Sequence, residues 1–383
     1  MPGQLPSPVF QPRRLLVRGV NWLGDSVMTT PALQRLREFF PGAHIALLAP
    51  QKLADLWRHH PSLNAVLTFA PDETPWPVAR RLRAENFDTA LVLPNSPRSA
   101  LEVWLAGIPR RIGLARPWRN WFLSQTVPPR SAQGRMRKRP VREIQRLVRA
   151  APDHEVHASR NPHHSRHQIH EYLHLAAALG ANPEPLAPLL MTEPHEIQVA
   201  RSKFGLNSQP TQAQPLLALG PGAEYGPAKR WPAERFVTAA REIQKRTHCA
   251  WLLLGGESDV PVAEEIHSAL RAPNFESFNL AGKTSLRELM SLLKLCRVLL
   301  SNDSGPMHVA AALGIPVVVP FGSTSPELTA PGLPGDTHQH LLRVAVPCAP
   351  CFRRSCPIDF RCMTGISVDR VVAAVLGLLA SKQ

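Results

Sequence analysis

Five short segments of this 383-residue sequence hold residue types that can do chemistry. In Val20-Asn-Trp-Leu-Gly-Asp-Ser-Val27, Gly24 permits a tight backbone turn and Asp25 follows it. A carboxylate there reads either as a helix N-cap or as a general base. The block Leu219-Gly-Pro-Gly-Ala-Glu-Tyr-Gly-Pro-Ala-Lys-Arg-Trp-Pro232 carries Gly220, Gly222 and Gly226, with Ala223 and Glu224 among them and Lys229 and Arg230 beyond. Glycines let backbone N–H groups close on an anion, and two cations add charge, a combination that suits a diphosphate. Leu254-Gly-Gly-Glu-Ser-Asp259 puts Glu257 on a flexible turn, as a partner for ribose hydroxyls or as a surface residue. Ser301-Asn-Asp-Ser-Gly-Pro-Met-His308 opens a helix; its free N–H groups could take phosphate, or Asp303 and Ser304 could simply cap it. His308, one turn in, reads on its own as a buried structural histidine. Finally, Cys348-x2-Cys351-x4-Cys356-x5-Cys362 has a loosely zinc-like spacing, open also to free thiols or redox-sensitive pairs.

These segments need strand ends to present them. Short apolar runs at 15–20, 44–49, 65–69 and 89–93 alternate with helical patterns at 26–36, 78–85 and 99–105. A helix over 168–179 stops at Gly180. After the proline-rich stretch 181–188, the expected interdomain linker, the pattern restarts, with strands at 216–219, 250–254, 298–300 and 317–319 between helices at 233–246, 262–271, 285–295 and 306–313. Such alternation implies an α/β chain with parallel sheets covered on both faces. The expected division is 1–183 and 184–383, two Rossmann-like domains with the motifs at carboxyl strand ends. The stretch 131–170, rich in Arg and His, reads as partly a mobile insertion or as an ordinary solvated helix at 141–150. The last helix, 368–379, is expected to pack back across the first domain.

Composition narrows the partners. With 44% hydrophobic and 19% charged residues the chain is globular. The first residues lack the apolar stretch of a signal peptide, and the apolar run 371–380 is too short to span a bilayer, so a soluble cytoplasmic protein is expected. The formal charge of +15 favours anionic partners, and 110–149 holds twelve Arg or Lys against the single acid Glu143. RNP aromatics and paired zinc-finger ligands are absent. A phosphate-bearing substrate or a membrane face therefore fits better than nucleic acid, which remains the remote alternative.

Three of these segments together carry a resemblance. Gly24-Asp25, the 221–232 block and Asn302-Asp-Ser-Gly-Pro-Met-His308 are similar to glycosyltransferase family 9, the ADP-heptose:lipopolysaccharide heptosyltransferases, and most to its heptosyltransferase II group. Leu93-Pro-Asn-Ser-Pro-Arg-Ser-Ala100 and Ala106-Gly-Ile-Pro-Arg-Arg-Ile-Gly113 resemble family segments in order and spacing. The resemblance implies a GT-B fold and inverting transfer of heptose from ADP-heptose to a lipid A-linked inner-core acceptor, with no cofactor required and magnesium left open. It implies Asp25 as base and Lys229 as the cation meeting the departing ADP. On the donor side it implies Gly24, Gly222, Ala223, Glu224, Glu257, Asp303, Ser304, Gly305 and His308. On the acceptor side it implies Asn21, Asn95, Arg98, Arg111 and Arg119. A heptosyltransferase I, or a related transferase with another acceptor, is the alternative. Such cysteine-rich tails occur in only some members, so the tail is not expected to be required for transfer. The basic surplus would hold the enzyme near an anionic membrane surface.

Overall fold

The computed structural model describes residues 11–131, 136–150, 166–206, 214–333 and 335–381. These fall into two compact units. Residues 11–131 and 168–191 form the first; 136–150, 166–167 and those from Thr192 onward form the second.

The first unit begins β1 (Arg14–Arg18), α1 (Leu23–Phe39), β2 (His44–Pro50), β3 (Ala65–Phe69), α2 (Pro75–Ala84) and β4 (Thr89–Val92). It continues α3 (Pro97–Leu105), β5 (Arg110–Leu114) and β6 (Gln125–Val127). The six strands pair in parallel in the order β3-β2-β1-β4-β5-β6. Leu15, Leu16 and Val17 are wholly buried, which is why β1 reads as a continuous apolar run and not as an alternation. The chain next makes α4 (Val141–Ala150), then returns to the first unit as α5 (Ile169–Ala177), which packs along α1.

The expected linker at 181–188 is part of this unit. Gln34 donates to the Ala187 carbonyl at 3.0 Å, Arg35 to that of Glu184 at 2.9 Å, and the Leu189 N–H to Thr30 at 3.0 Å. Its prolines forbid regular structure, yet its carbonyls serve α1 side chains. The change of unit therefore falls at Met191/Thr192 and not at 183/184.

Helix α4 lies in the second unit. Ile144 is buried with Cys348 and Cys351, and the Arg139 N–H donates to the Cys351 carbonyl at 2.9 Å. The helical reading of 141–150 holds; of the stretch 131–170, read as partly a mobile insertion, 132–135 and 151–165 lie outside the described residues. The rest of the unit runs α6 (Pro194–Lys203), β7 (Leu216–Gly220), α7 (Ala233–Thr247), β8 (Ala250–Leu253), α8 (Val260–Leu270) and β9 (Ser277–Asn279). Then follow α9 (Leu286–Leu295), β10 (Leu299–Ser301), α10 (Gly305–Ala312), β11 (Val317–Pro320), α11 (Pro326–Thr329), β12 (Gln339–Leu342), α12 (Arg361–Thr364) and α13 (Val368–Ala380). Its parallel sheet has the order β12-β11-β10-β7-β8-β9. Helix α13, expected to pack back across the first domain, belongs to the core of the second unit: Val371, Val375 and Leu378 are buried in one core with Leu217, Ile243 and Trp251. Among the described residues no helix is long and apolar enough to cross a membrane.

Both sheets share one topology, with strand order reversing between β1 and β4 and between β7 and β10. Loops at the carboxyl ends of such strand pairs are where open α/β sheets take ligands.

Candidate functional site

In the first unit, Gly24 and Asp25 follow β1 at this reversal. Trp22 occupies the N-cap of α1 without a side-chain cap bond, so the helix starts earlier than its apolar pattern implied. Asp25 is not the cap. It stands half-buried in the first turn, where the helix dipole favours a carboxylate. It lies near Tyr172 of α5, whose phenol is pushed well above its ordinary value by burial and then by the Asp25 charge. A half-buried carboxylate at a helix N-terminus can accept a proton from a bound hydroxyl.

Beneath this loop sits a charged cluster. Arg18, ending β1, and Glu102 of α3 are 1% and 0% exposed and pair at 2.9 Å. One Arg18 nitrogen donates to the Gly19 carbonyl at 2.5 Å and to Asn21 Oδ1 at 3.2 Å. The second Glu102 oxygen accepts from Arg98 Nε at 2.9 Å, and Arg98 also donates to the Glu73 carbonyl. Burial lowers the Arg18 pKa against the opposing pull of Glu102. The residue types gave one signal for this pair: a charge ending a buried strand needs a partner. Sequence reading missed it.

Around β4 and β5, Asn95 donates to Glu171 at 3.2 Å and accepts from Arg119 at 3.3 Å. Arg119 is fully buried, and the same terminal nitrogen donates to the Pro94 carbonyl at 2.6 Å. Its Nε and other terminal nitrogen have no hydrogen-bond partner among the described residues. Gly113 makes room for it, since a Cβ there would stand 2.7 Å from the guanidinium. Burial and then the nearby Arg116 lower its pKa to about 10, so it stays cationic at neutral pH. Arg111 differs: its Nε and one terminal nitrogen bind the carbonyls of Phe122, Ile108 and Pro109.

In the second unit, the blocks after β7 and β10 are stitched together. Asn302 accepts from the Trp231 N–H at 2.9 Å and donates to the Pro221 carbonyl at 2.6 Å. Lys229 Nζ lies 2.6 Å from Asp303 Oδ2, which also accepts from Thr324, and 5.0 Å from the centre of the Tyr225 ring. Gly222 lies against the Asp259 carboxylate, and a Cβ there would meet it at about 2 Å. Gly226, at φ +144°, backs onto the Arg354 carbonyl, 2.6 Å from where a Cβ would stand. Ala223 is buried beside Gly222, and Glu224 is exposed. Ser304 occupies the N-cap of α10 without a side-chain cap bond, the helix begins at Gly305, and the Ser304 hydroxyl lies 3.2 Å from that of Ser301. His308 is buried, and burial, opposed by Asp303, lowers its pKa to about 3; it is a neutral group beside the ion pair. Glu257 is exposed on the turn after β8. A cation, glycine-lined backbone and a helix start on adjacent strands can hold a diphosphate.

The four C-terminal cysteines do come together. Cys348, Cys351, Cys356 and Cys362 line one apolar cavity of about 10 Å³. Burial, then the neighbouring sulfurs, pushes the Cys362 thiol up to about 12. Yet among the described residues no group of three Cys, His, Asp or Glu is arranged to hold a metal ion, so the zinc candidacy is not carried further. The segment braces the glycine block instead: the Ala228 N–H donates to the Arg354 carbonyl at 2.9 Å, and Tyr225 to that of Phe352 at 2.7 Å.

Comparison with known proteins places the chain. Residues 76–360 match the model of glycosyltransferase family 9 (heptosyltransferase). Lipopolysaccharide heptosyltransferase 2 of Salmonella typhimurium is 32% identical over 83% of this chain and 85% of that protein. The solved Escherichia coli ADP-heptose LPS heptosyltransferase II superposes with a TM-score of 0.76 at 26% identity, covering 96% of this chain and 99% of that one. A family 9 glycosyl transferase from Veillonella parvula shares the fold at TM-score 0.77 and 21% identity, covering 96% and 98% of the two chains. With its two Rossmann-like units and this match over most of its length, the chain belongs to glycosyltransferase family 9, the heptosyltransferases.

Proposed function

We propose that this enzyme transfers L-glycero-D-manno-heptose from ADP-heptose to the inner core of lipopolysaccharide, with inversion, as a heptosyltransferase of the second type. The observation that carries the site assignment is the placement of complementary groups at corresponding points of the two sheets. A half-buried carboxylate follows β1, and a lysine paired with Asp303 spans the loops after β7 and β10. In this reading Asp25 takes the proton of an acceptor hydroxyl as its oxygen attacks the anomeric carbon. The bond to ADP breaks on the opposite face, so no covalent enzyme intermediate forms. Lys229 turns from Asp303 towards the departing diphosphate, while Thr324 keeps Asp303 oriented towards the heptose. Gly222, Ala223 and the start of α10 contribute backbone N–H groups, and Glu257 and Glu224 face the nucleoside. Asn21, Asn95 and Arg98 line the acceptor side, and Arg119, buried behind Asn95, adds a positive charge that favours an acceptor carboxylate or phosphate there.

The acceptor is lipid-linked in this reading, and Arg142, Arg146 and Arg149 of α4 are exposed beside Arg137 and Lys138. Near an anionic leaflet each such cation contributes about 1 kcal/mol. We therefore place the enzyme at the cytoplasmic face of the membrane. The test is transfer by purified enzyme from ADP-heptose, against other nucleotide sugars, to core acceptors with and without a first heptose. Turnover only with the heptose-bearing acceptor is expected. Preference for the bare acceptor would assign the enzyme to the first type, and no turnover with ADP-heptose would overturn the reading.

A further inference from the structure

Glu102 lies in no motif, yet its two carboxylate oxygens serve two separate parts of the first unit. One binds Arg18 at 2.9 Å, and Arg18 in turn holds the Gly19 carbonyl and the Asn21 side chain at the root of the Asp25 loop. The other binds Arg98 at 2.9 Å. Phe69 lies under both cations, 4.4 Å from Arg18 and 5.7 Å from Arg98. Taking Arg18 and Glu102 entirely out of water is expensive, and well-packed apolar residues of similar size often stabilise a fold as well or better. For stability alone, then, the pair has no advantage over apolar replacements. What it supplies is direction, because a guanidinium offers its donors in a fixed fork.

We infer that Glu102 is a positioning residue for transfer: one buried carboxylate sets both the loop that presents Asp25 and the orientation of Arg98 on the acceptor side. The inference rests on the reading of Asp25 as base and Arg98 as an acceptor contact. Because small misplacement of reacting groups is costly, removing the coupling should lower kcat by roughly 10- to 100-fold. Acceptor KM should rise, while ADP affinity, which belongs to the other unit, stays within about twofold.

The experiment uses the full-length enzyme, with rates normalised to ADP-binding-competent protein. Glu102→Gln strands the Arg18 charge and will lower Tm as well as kcat. The double substitution Arg18→Met with Glu102→Leu removes both buried charges; Arg98, whose side chain is 38% exposed, keeps water as a partner. The double variant should recover Tm but not kcat or acceptor KM. If activity returns along with the fold, the pair is structural only and the inference is overturned. Glu102→Gln at parental kcat and acceptor KM would overturn it equally. Asp25→Asn, assayed beside them, separates the two readings: an active Asp25→Asn defeats the base assignment, whereas an inactive one beside a fully active Glu102 variant defeats only this inference.

Discussion

The two units repeat one strand order and hold their chemistry by opposite means. In the first, side-chain charge is buried: Arg18 against Glu102, and Arg119 in the space left by Gly113. In the second, main chain does most of the holding, through Gly220, Gly222, Gly226 and the start of α10, with Lys229 and Asp303 as the principal ion pair. On the proposed reading, in which the second unit takes the donor and the first the acceptor, the ligands account for the difference. A diphosphate presents many equivalent oxygens, which N–H groups can follow wherever no Cβ intervenes. An acceptor sugar presents one hydroxyl to activate and a few anionic groups at fixed positions, which calls for directed side chains. The first unit should therefore fail when a side chain changes character, and the second when a side chain is added.

The largest effect is expected from the first unit. Asp25→Asn keeps the shape of the loop but removes the proton acceptor, so kcat should fall by about 10²–10⁴-fold. ADP affinity by calorimetry should change by less than about twofold, since the base acts on the reacting hydroxyl and not on the nucleotide. Near-parental turnover would remove the base from the first unit and end the comparison.

Next comes a directed pair within the second unit, Lys229 with Asp303 at the glycine block. Lys229→Met should reduce kcat/KM for the donor by about 10²–10³-fold through loss of charge stabilisation. It also leaves Asp303, only 4% exposed, with Thr324 as its remaining named partner. Breaking one side of a buried pair typically costs about 3 kcal/mol, so the denaturant midpoint should fall too. A variant defective only in acceptor KM would place Lys229 on the wrong substrate.

Gly226→Ala tests the main-chain half of the contrast. At φ +144° a Cβ is strained and meets the Arg354 carbonyl, a main-chain atom that cannot swing away as a side chain could. We expect a stability loss of about 2–3 kcal/mol together with weaker ADP binding. Gly42→Ala, with nothing within 4 Å of its Cβ, should be silent and serves as the control. Equal melting curves for the two variants would show that the loop is not held by its brace.

How much of this was legible follows the same division. Glycine blocks that succeed a strand announce themselves, because only one residue type serves there, and the 221–232 and 302–308 segments do follow strands, β7 and β10, as expected. Directed side chains gave weaker signals. Arg111 and Arg119 look alike in sequence, yet one is bound to carbonyls of its own loop and the other keeps two donors unpartnered among the described residues. Only the path of 115–124 distinguishes them. Strands β5 and β6 escaped notice because arginine and glutamine open them, in a run that reads as a basic surface. The domain boundary was misplaced because irregular backbone was equated with a linker, although 181–191 is fastened to α1. Helix α4 shows the converse: a basic exposed face concealed Ile144, whose partners Cys348 and Cys351 lie some two hundred residues away.

The smallest predicted effect follows from two of the buried histidines, His60 in the first unit and His308 in the second. Burial lowers His60 to about 4 and His308 to about 3, both from an ordinary 6.5. Above pH 6.5 neither folded nor unfolded chain protonates them, so they contribute nothing to the slope of stability with pH. As pH falls through 6.5 the unfolded chain takes up protons that the folded one refuses, and stability declines until the folded values near 4 and 3 are reached. Each histidine should account for about 1 kcal/mol of the loss between pH 6.5 and 5.5. Denaturant unfolding at these two pH values should show a decline about 1 kcal/mol smaller in His308→Gln than in the parent, and likewise in His60→Gln. The double variant should add the two savings, because the histidines belong to different units with separate cores. An unchanged decline in His308→Gln would mean that this ring is already protonated beside Asp303 and adds a buried positive charge to the second unit.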